Sequence, residues 1–181
     1  MEYQVNQLIS TEQRHTLLDM FHVGKHRYAT QDYNLHDVTK VDIRTTNKNK
    51  DVFNLLDEFA ANHPGADELY AHYFLHYGKG SFTKTHSDND DAIGLTIVTM
   101  LEQTPNLVGG DTIVTLPYKG PVRDDGYIKG EPLTDQRMIM RVVPMDEGDS
   151  ISYDRSLMHG VSQVESGHRI VMVSWYKSTN V

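Results

Sequence analysis

The chain has 181 residues, contains no cysteine and carries a formal net charge of −8 at pH 7. This length predicts one domain with its own hydrophobic core, while the lack of cysteine excludes disulfide bonds, thiolate-bound zinc and iron–sulfur clusters. The charge argues against general binding to a nucleic-acid backbone, and the absence of a run of about 20 apolar residues argues against a membrane span. No apolar N-terminal segment with basic flanks indicates a secretory signal, so we expect a cytosolic protein.

Residues 1–68 predict a helical region. Ser10 can cap a first helix that carries an apolar stripe over residues 17–21. A second helix fits residues 51–62, where apolar side chains recur at helical spacing before a Pro-Gly pair ends the pattern. Between the helices, residues 38–43 predict one short strand. We expect both helices to serve as scaffold packed against a sheet.

From residue 69 onward, short apolar runs alternate with turn residues, which predicts strands. Eight such strands predict a mainly β jelly roll of two packed sheets, which is a double-stranded β-helix with a cupin-like core. We therefore treat 1–181 as a single domain, with helical support over 1–68 and the jelly-roll core over 69–181. The predicted strands are 70–77, 82–87, 93–101, 111–116, 137–143, 149–153, 159–165 and 168–176.

One irregular stretch, residues 116–136, separates two of these predicted strands and is rich in proline and glycine. Loops longer than about 12–15 residues inside a compact domain are often functional. Our hypothesis is that this loop contacts the substrate, and a disordered surface loop is the equal alternative. The candidate contact residues are Tyr118, Lys119, Arg123 and Tyr127.

Two imidazoles and one carboxylate are candidates to hold a metal ion. His86 and Asp88 are two residues apart at the end of the strand predicted at 82–87, and on an extended chain side chains at i and i+2 project from one face. With the distant His159 they would form the facial triad of non-haem Fe(II) sites, which leaves the opposite coordination positions open. Arg169 follows His159 by ten residues, and its planar guanidinium suits a co-substrate that bears a carboxylate. An HxD tripeptide alone is weak evidence, because a chain with ten histidines can contain one by chance.

The order and spacing of these motifs resemble the Fe(II)/2-oxoglutarate-dependent dioxygenases, and more narrowly their prolyl-4-hydroxylase-like branch. The resemblance extends from Leu69 to Tyr176, and each matching segment is weak when taken alone. The matching segments are Tyr73–Asp88 with its Gly-rich turn and HxD motif, Gly109–Thr112, Glu147–Ile151, His159–Arg169 and Trp175-Tyr176.

The resemblance implies that Fe(II) is held by His86, Asp88 and His159. It implies that Arg169 pairs with the C5 carboxylate of 2-oxoglutarate, and that dioxygen is the oxidant, with ascorbate as a supporting reductant. The implied reaction is hydroxylation of an unactivated C–H bond with release of succinate and CO₂.

The resemblance also implies hydroxyl groups near the co-substrate. Tyr77 is the candidate for a further hydrogen bond to 2-oxoglutarate. Members of this branch often carry a second tyrosine on the strand predicted at 93–101, and this chain has none there. Thr96 is the candidate substitute.

The substrate class stays open at this point. The compact size, without an appended peptide-binding domain, favours a free amino acid or small metabolite, and a prolyl or other side chain of a polypeptide is the alternative. A non-catalytic cupin-like metal- or ligand-binding protein and a metal-dependent isomerase are further alternatives. A zinc hydrolase agrees less well with two histidines, one aspartate and a nearby arginine.

The remaining histidines have plainer interpretations. His72 and His76 would share a strand face about 13 Å apart, so we expect hydrogen-bonded sheet residues and not a metal pair. His168 should point away from the face of its neighbour Arg169. The histidines left as surface or structural residues are His22, His26 and His36.

Overall fold

The structure of the chain is a computed structural model, and it confirms the predicted jelly roll. Antiparallel strands curl around a common interior, and two helices cover one outer face. None of the described helices is long and apolar enough to cross a membrane. The residues that the structure describes are 3–33, 36–43, 50–64, 66–88, 92–117 and 138–178.

The elements follow one another along the chain as two helices among eleven strands. The helices are α1 (Thr11–Tyr28) and α2 (Lys50–Ala61). The strands are β1 (Tyr3–Gln7), β2 (Ala29–Asp32), β3 (His36–Asp42), β4 (Ala66–Tyr77), β5 (Phe82–His86), β6 (Ile93–Gln103), β7 (Thr112–Pro117), β8 (Met138–Val143), β9 (Asp149–Asp154), β10 (Met158–Val161) and β11 (Arg169–Ser178).

Helix α1 begins at the predicted cap. The Ser10 side chain accepts a hydrogen bond from the Gln13 backbone amide, and the Ser10 amide donates to the Gln13 side chain at 2.8 Å. This reciprocal capping box satisfies two amide groups that a helix start otherwise leaves unpaired. The helix then presents Leu17 and Phe21, both buried, to the sheet.

The strands form one continuous antiparallel path, in the order β1-β9-β6-β11-β4-β3-β5-β10-β7-β8, with β2 also paired to β3. Strand β3 is the corner of this path, because residues 39–42 pair with β4 whereas residues 36–37 pair with β5. The path therefore divides into two halves that share β3. Side chains from both halves meet in one interior cluster, for example Val171 of β11 and Val114 of β7.

Strand β11 is covered on both faces, which explains its unbroken apolar run. Ile170 and Met172 belong to the core beneath the helices, whereas Val171 and Val173 belong to the interior between the two halves. Successive strand residues point to opposite faces, so Arg169 lies on the interior side with Val171 and Val173. The inner face of β11 thus forms part of the wall of the candidate site.

The first 68 residues contain more strand than we predicted. The strand expected at 38–43 is present as β3, but β1 and β2 are five and four residues long and contain too few apolar side chains to predict a strand. Strand β1 is a largely exposed edge strand that pairs with β9, so its sequence needs no buried side chains. The division of the domain at residue 68 stays a prediction.

Downstream, the predicted strands are present with small shifts at their ends. Strand β4 begins at Ala66, four residues before the predicted start, and β10 ends at Val161, four residues before the predicted end. The proposed substrate loop at 116–136 begins inside β7. Its candidate contacts lie outside the described residues, so their role stays a prediction; they are Tyr118, Lys119, Arg123 and Tyr127.

Candidate functional site

The fold brings the three predicted metal ligands together. Strands β5 and β10 pair antiparallel with His159 directly opposite His86, and Asp88 follows the end of β5. Asp88 Oδ1 lies 3.5 Å from His86 Nε2 and 3.7 Å from His159 Nε2. One ligand atom from each residue lies within 4.8 Å of the others, so a single ion can contact all three.

The hydrogen bonds of the two imidazoles orient them for metal binding. His86 Nδ1 lies 2.8 Å from the Lys84 carbonyl oxygen, and His159 Nδ1 lies 2.9 Å from the Leu157 carbonyl oxygen. Because a carbonyl oxygen only accepts, each Nδ1 carries a proton, and Nε2 is the nitrogen left to bind a metal ion. Both Nε2 atoms face Asp88, so the donor set of two imidazoles and one carboxylate fits Fe(II).

The two oxygens of Asp88 have different partners. Oδ1 faces the imidazoles, whereas Oδ2 accepts a hydrogen bond of 2.6 Å from the Thr96 hydroxyl. Burial raises the pKa of the Asp88 carboxyl, but the hydrogen bonds from His86 and Thr96 and the nearby His159 outweigh it, so this pKa lies below its ordinary value. Asp88 is therefore ionised at neutral pH. Thr96 lies beside a predicted metal ligand, and its own contact with 2-oxoglutarate stays a prediction.

Arg169 is a buried cation with unused hydrogen-bonding capacity. Its side chain is 2% exposed and donates to the Gly110 carbonyl oxygen and, at 3.1 and 3.2 Å, to the Thr112 hydroxyl. Its Nε finds no partner, and no ion pair joins it to an acidic side chain in the described part of the chain. Burial lowers the pKa of Arg169, yet a guanidinium keeps its proton. A ligand carboxylate would supply the missing charge and acceptor.

The glycine pair before β7 brings a backbone acceptor to Arg169. Gly109 and Gly110 have φ angles of +72° and +68°, which L-residues with side chains rarely adopt. A Cβ on Gly109 would lie 2.0 Å from the Gln163 carbonyl oxygen. Only glycine therefore allows the turn that places the Gly110 carbonyl against the guanidinium.

Tyr77 lies next to Arg169, as its predicted role requires. The two residues are opposite each other in the β4–β11 register, and the guanidinium carbon lies 5.4 Å from the centre of the Tyr77 ring. The Tyr77 hydroxyl shares a hydrogen bond of 2.7 Å with Thr83, and burial raises the pKa of the phenol. Tyr77 is thus a neutral phenol beside the arginine, and its bond to 2-oxoglutarate stays a prediction.

A single cavity of about 400 Å³ connects the metal ligands with the arginine. This volume lies within the range of small-molecule sites. All the predicted site residues that the structure describes line it, and they are His86, Asp88, His159, Tyr77, Thr96 and Arg169. Most other lining side chains are aromatic or aliphatic, including Tyr70, Tyr73, Val98, Val171, Val173 and Trp175.

Tyr153 and His36 are among the cavity residues that the sequence analysis missed. Tyr153 of β9 is 3% exposed, its ring centre lies 4.5 Å from that of His159, and it is opposite Thr96 in the β6–β9 register. A phenol therefore lies beside the strand that lacks the expected tyrosine. His36 of β3 also lines the cavity, although we interpreted it as a surface or structural residue. These residues were missed because the alternation of a strand indicates which side chains point inward, but not which cavity they line.

The other histidines behave largely as predicted. His72 Nδ1 shares a hydrogen bond of 2.8 Å with Ser174 on the neighbouring strand, which confirms a sheet residue. His168 pairs with Glu102 at 2.8 Å, and its ring packs against His76. Neither His72 nor His168 lines the cavity.

Comparisons with known proteins support the fold. No protein-family profile and no curated protein matches the chain. Among solved structures, a Pseudomonas putida prolyl-4-hydroxylase matches with a TM-score of 0.69 at 13% identity, over 97% of this chain and 91% of that chain. A viral collagen prolyl hydroxylase from Paramecium bursaria Chlorella virus-1 matches with a TM-score of 0.65 at 16% identity, over 98% and 96%.

A third similar structure belongs to an enzyme that catalyses a different reaction. The non-haem α-ketoglutarate-dependent carbocyclase SnoK from nogalamycin biosynthesis has a TM-score of 0.70 at 14% identity, over 97% of this chain and 79% of that chain. At these identities the likeness shows the fold. The chain therefore has the double-stranded β-helix fold that is found in prolyl 4-hydroxylases and other 2-oxoglutarate–Fe(II) oxygenases.

Proposed function

We propose that the chain is an Fe(II)- and 2-oxoglutarate-dependent dioxygenase that hydroxylates an unactivated C–H bond. One observation carries the proposal: a single cavity joins a His-Asp-His cluster to a buried arginine with unused donors. The bound metal would supply activation of dioxygen, coupled to the conversion of 2-oxoglutarate to succinate and CO₂.

The shape of 2-oxoglutarate agrees with this arrangement. The molecule has a 2-oxo acid at one end and a second carboxylate at the other. His86, Asp88 and His159 would hold the metal that receives the first end, while Arg169 would bind the second with a charge-assisted pair of hydrogen bonds. The largely apolar lining between them leaves space for a C–H bond of the substrate.

For the substrate, we propose a free amino acid or another small metabolite. The cavity of about 400 Å³ has room for a small molecule beside the co-substrate. Among the structural neighbours, the epimerase SnoN is described in complex with Fe³⁺, α-ketoglutarate and the small molecule nogalamycin RO.

A protein side chain is the second candidate substrate. It is favoured by a neighbour with a TM-score of 0.67 and 10% identity, a Trichoplax adhaerens prolyl hydroxylase in complex with a peptide fragment of hypoxia inducible factor. Mass spectrometry after incubation with cell extract separates the two candidates. A +16 Da product in the small-molecule fraction supports the first, and one in the protein fraction supports the second.

The reaction class is tested by succinate formation from 2-oxoglutarate in air, with Fe(II), ascorbate and a panel of amino acids and peptides. We expect succinate from the wild-type chain and none from Asp88→Ala, which removes the shared carboxylate ligand. Asp19→Ala, at an exposed position on α1, is the matched control and should keep full activity. Retained activity in Asp88→Ala would contradict the site. The absence of succinate from the wild-type chain would instead favour a non-catalytic cupin-like binding protein.

A further inference from the structure

His36 is placed where it can act on the site from the N-terminal part of the chain. It lines the cavity, and its ring stands edge-on to that of His86, with ring centres 5.6 Å apart at 86°. Strand alternation puts Val38, which is 1% exposed, on the same inward face of β3. The position of His36 is therefore set by a buried strand face and not by a surface loop.

A chain of hydrogen bonds connects His36 to Tyr77. His36 Nδ1 lies 2.9 Å from the Thr83 hydroxyl oxygen, and that same oxygen lies 2.7 Å from the Tyr77 hydroxyl. Thr83 and Tyr77 are 6% and 2% exposed. The Thr83 hydroxyl joins the two partners and has only one proton to donate, although it can accept twice.

The direction of these hydrogen bonds determines whether the Tyr77 hydroxyl can donate to a bound ligand. If Tyr77 donates to Thr83, the phenol proton is not available to a ligand. If His36 Nδ1 carries a proton and donates to Thr83, the Thr83 hydroxyl can donate to the Tyr77 oxygen, and the phenol proton is free for another acceptor. A carboxylate accepts hydrogen bonds and does not donate them. A carboxylate bound to Arg169 beside Tyr77 therefore favours the arrangement in which His36 donates to Thr83 and Thr83 donates to Tyr77.

We propose that His36 is a positioning residue for 2-oxoglutarate: through Thr83, its Nδ1–H orients the Tyr77 hydroxyl as a donor to the carboxylate that Arg169 binds. This role rests on the proposed function, because it requires an anionic co-substrate at Arg169. Under this proposal, a residue of β3 influences the affinity for the co-substrate, although β3 is far from His86 and Asp88 in the sequence.

The test is equilibrium binding of 2-oxoglutarate to the protein loaded with Mn(II), which binds without turnover. We expect His36→Leu and Thr83→Val each to raise the dissociation constant about tenfold, as the loss of a hydrogen bond to a charged group would. The double variant should bind no more weakly than Thr83→Val alone, because His36 acts through Thr83. His36→Asn, whose amide can replace Nδ1, should stay within about threefold of the wild-type chain.

Several results would overturn the role of His36. These are wild-type affinity in His36→Leu, additive losses in the double variant, and a loss in His36→Asn as large as in His36→Leu. A wild-type chain that binds Mn(II) but not 2-oxoglutarate contradicts the proposed function itself, which separates the two failures. His26→Leu, at an exposed position on α1, is the matched histidine control.

A second measurement uses the unaltered sequence, so it does not depend on the folding of a variant. Nitrogen-15 NMR of histidine side chains distinguishes the two tautomers, and Zn(II) serves as a diamagnetic metal. With Zn(II) and 2-oxoglutarate bound, we expect His36 to carry its proton on Nδ1. A neutral His36 with its proton on Nε2 in that complex would contradict the proposal.

Discussion

Asp88 combines two contacts that together prepare it for a metal ion. Its Oδ1 faces two imidazoles, and its Oδ2 is held by Thr96 at 2.6 Å. A hydrogen bond to the outer oxygen fixes the carboxylate plane and keeps the inner oxygen directed at the ion. Partners of this kind typically contribute 10–100-fold to metal affinity.

Replacing Thr96 by valine should therefore weaken metal binding by about 10–100-fold, since valine keeps the shape and removes the donor. Metal titration of the purified chain measures this. Thr99→Val is the matched control, because Thr99 is buried on the same strand but bonds to Ser150 at 2.8 Å and does not line the cavity. Equal metal affinities in the two variants would show that Thr96 does not support Asp88.

Arg169 provides a second prediction, which concerns the co-substrate. Arg169→Lys keeps a positive charge but loses the planar fork and the contact with the Gly110 carbonyl. We expect the dissociation constant for 2-oxoglutarate to rise at least about tenfold, with unchanged Mn(II) affinity. Arg14→Lys, outside the cavity, is the control. Unchanged 2-oxoglutarate affinity in Arg169→Lys would place the co-substrate elsewhere.

Strands β5 and β10 carry the two histidines that we propose as metal ligands, and a glycine lets these strands approach each other. A Cβ on Gly160 would lie 2.8 Å from the Thr83 carbonyl oxygen and 3.1 Å from the Thr85 backbone. These are backbone atoms of β5 and cannot move aside as a flexible side chain can. The close approach keeps His159 opposite His86.

Gly160→Ala should push the two strands apart and destabilise the chain by about 1–3 kcal/mol, as overpacking typically does. We also expect weaker metal binding, because the two imidazoles would separate. Thermal unfolding and metal titration measure the two effects. Gly78→Ala is the control, since its nearest atom would be 4.0 Å from the added Cβ and its φ is not positive. Wild-type metal affinity in Gly160→Ala would mean that the spacing of the strands does not set the site.

The molecule as a whole is held by a core beneath the helices, which contains a buried histidine. His72 is 8% exposed, its ring stacks on Phe53 of α2 at 4.6 Å, and its Nε2 finds no partner among the described residues. Burial lowers the pKa of His72 to about 4. The ring is therefore neutral in the folded chain at pH 7, and its protonation opposes docking of the helices.

This burial makes stability depend on pH in a definite direction. The unfolded chain binds a proton at His72 near pH 6.5 and the folded chain only near pH 4, so stability is lost as the pH falls from 6.5 towards 4. Between pH 7 and pH 4.5 the loss from His72 is about 2–3 kcal/mol. Urea unfolding of His72→Phe should show a pH dependence smaller by that amount, and His26→Phe should match the wild-type chain. An unchanged pH dependence in His72→Phe would rule out this role for His72.

Local patterns in the sequence were sufficient for much of the fold and part of the site. The capping residues predicted the start of α1, and apolar runs between turn residues predicted the strands of the jelly roll, because both depend on neighbours in the chain. The i, i+2 spacing predicted that His86 and Asp88 lie close together, although Asp88 lies just beyond the end of β5. Strand β1 was missed because an exposed edge strand needs no apolar alternation.

Only the tertiary structure decided which distant residues complete the cavity. His36, Thr112 and Tyr153 come from β3, β7 and β9, which meet β5, β10 and β6 through long-range pairing. Alternation along a strand shows that a side chain points inward, whereas the register between strands determines which residues that side chain faces. The sequence therefore determined the fold class and a candidate ligand set. The tertiary structure determined the support for Asp88, the donors around Arg169 and the connection from His36 to Tyr77, because these depend on contacts between strands that are far apart in the chain.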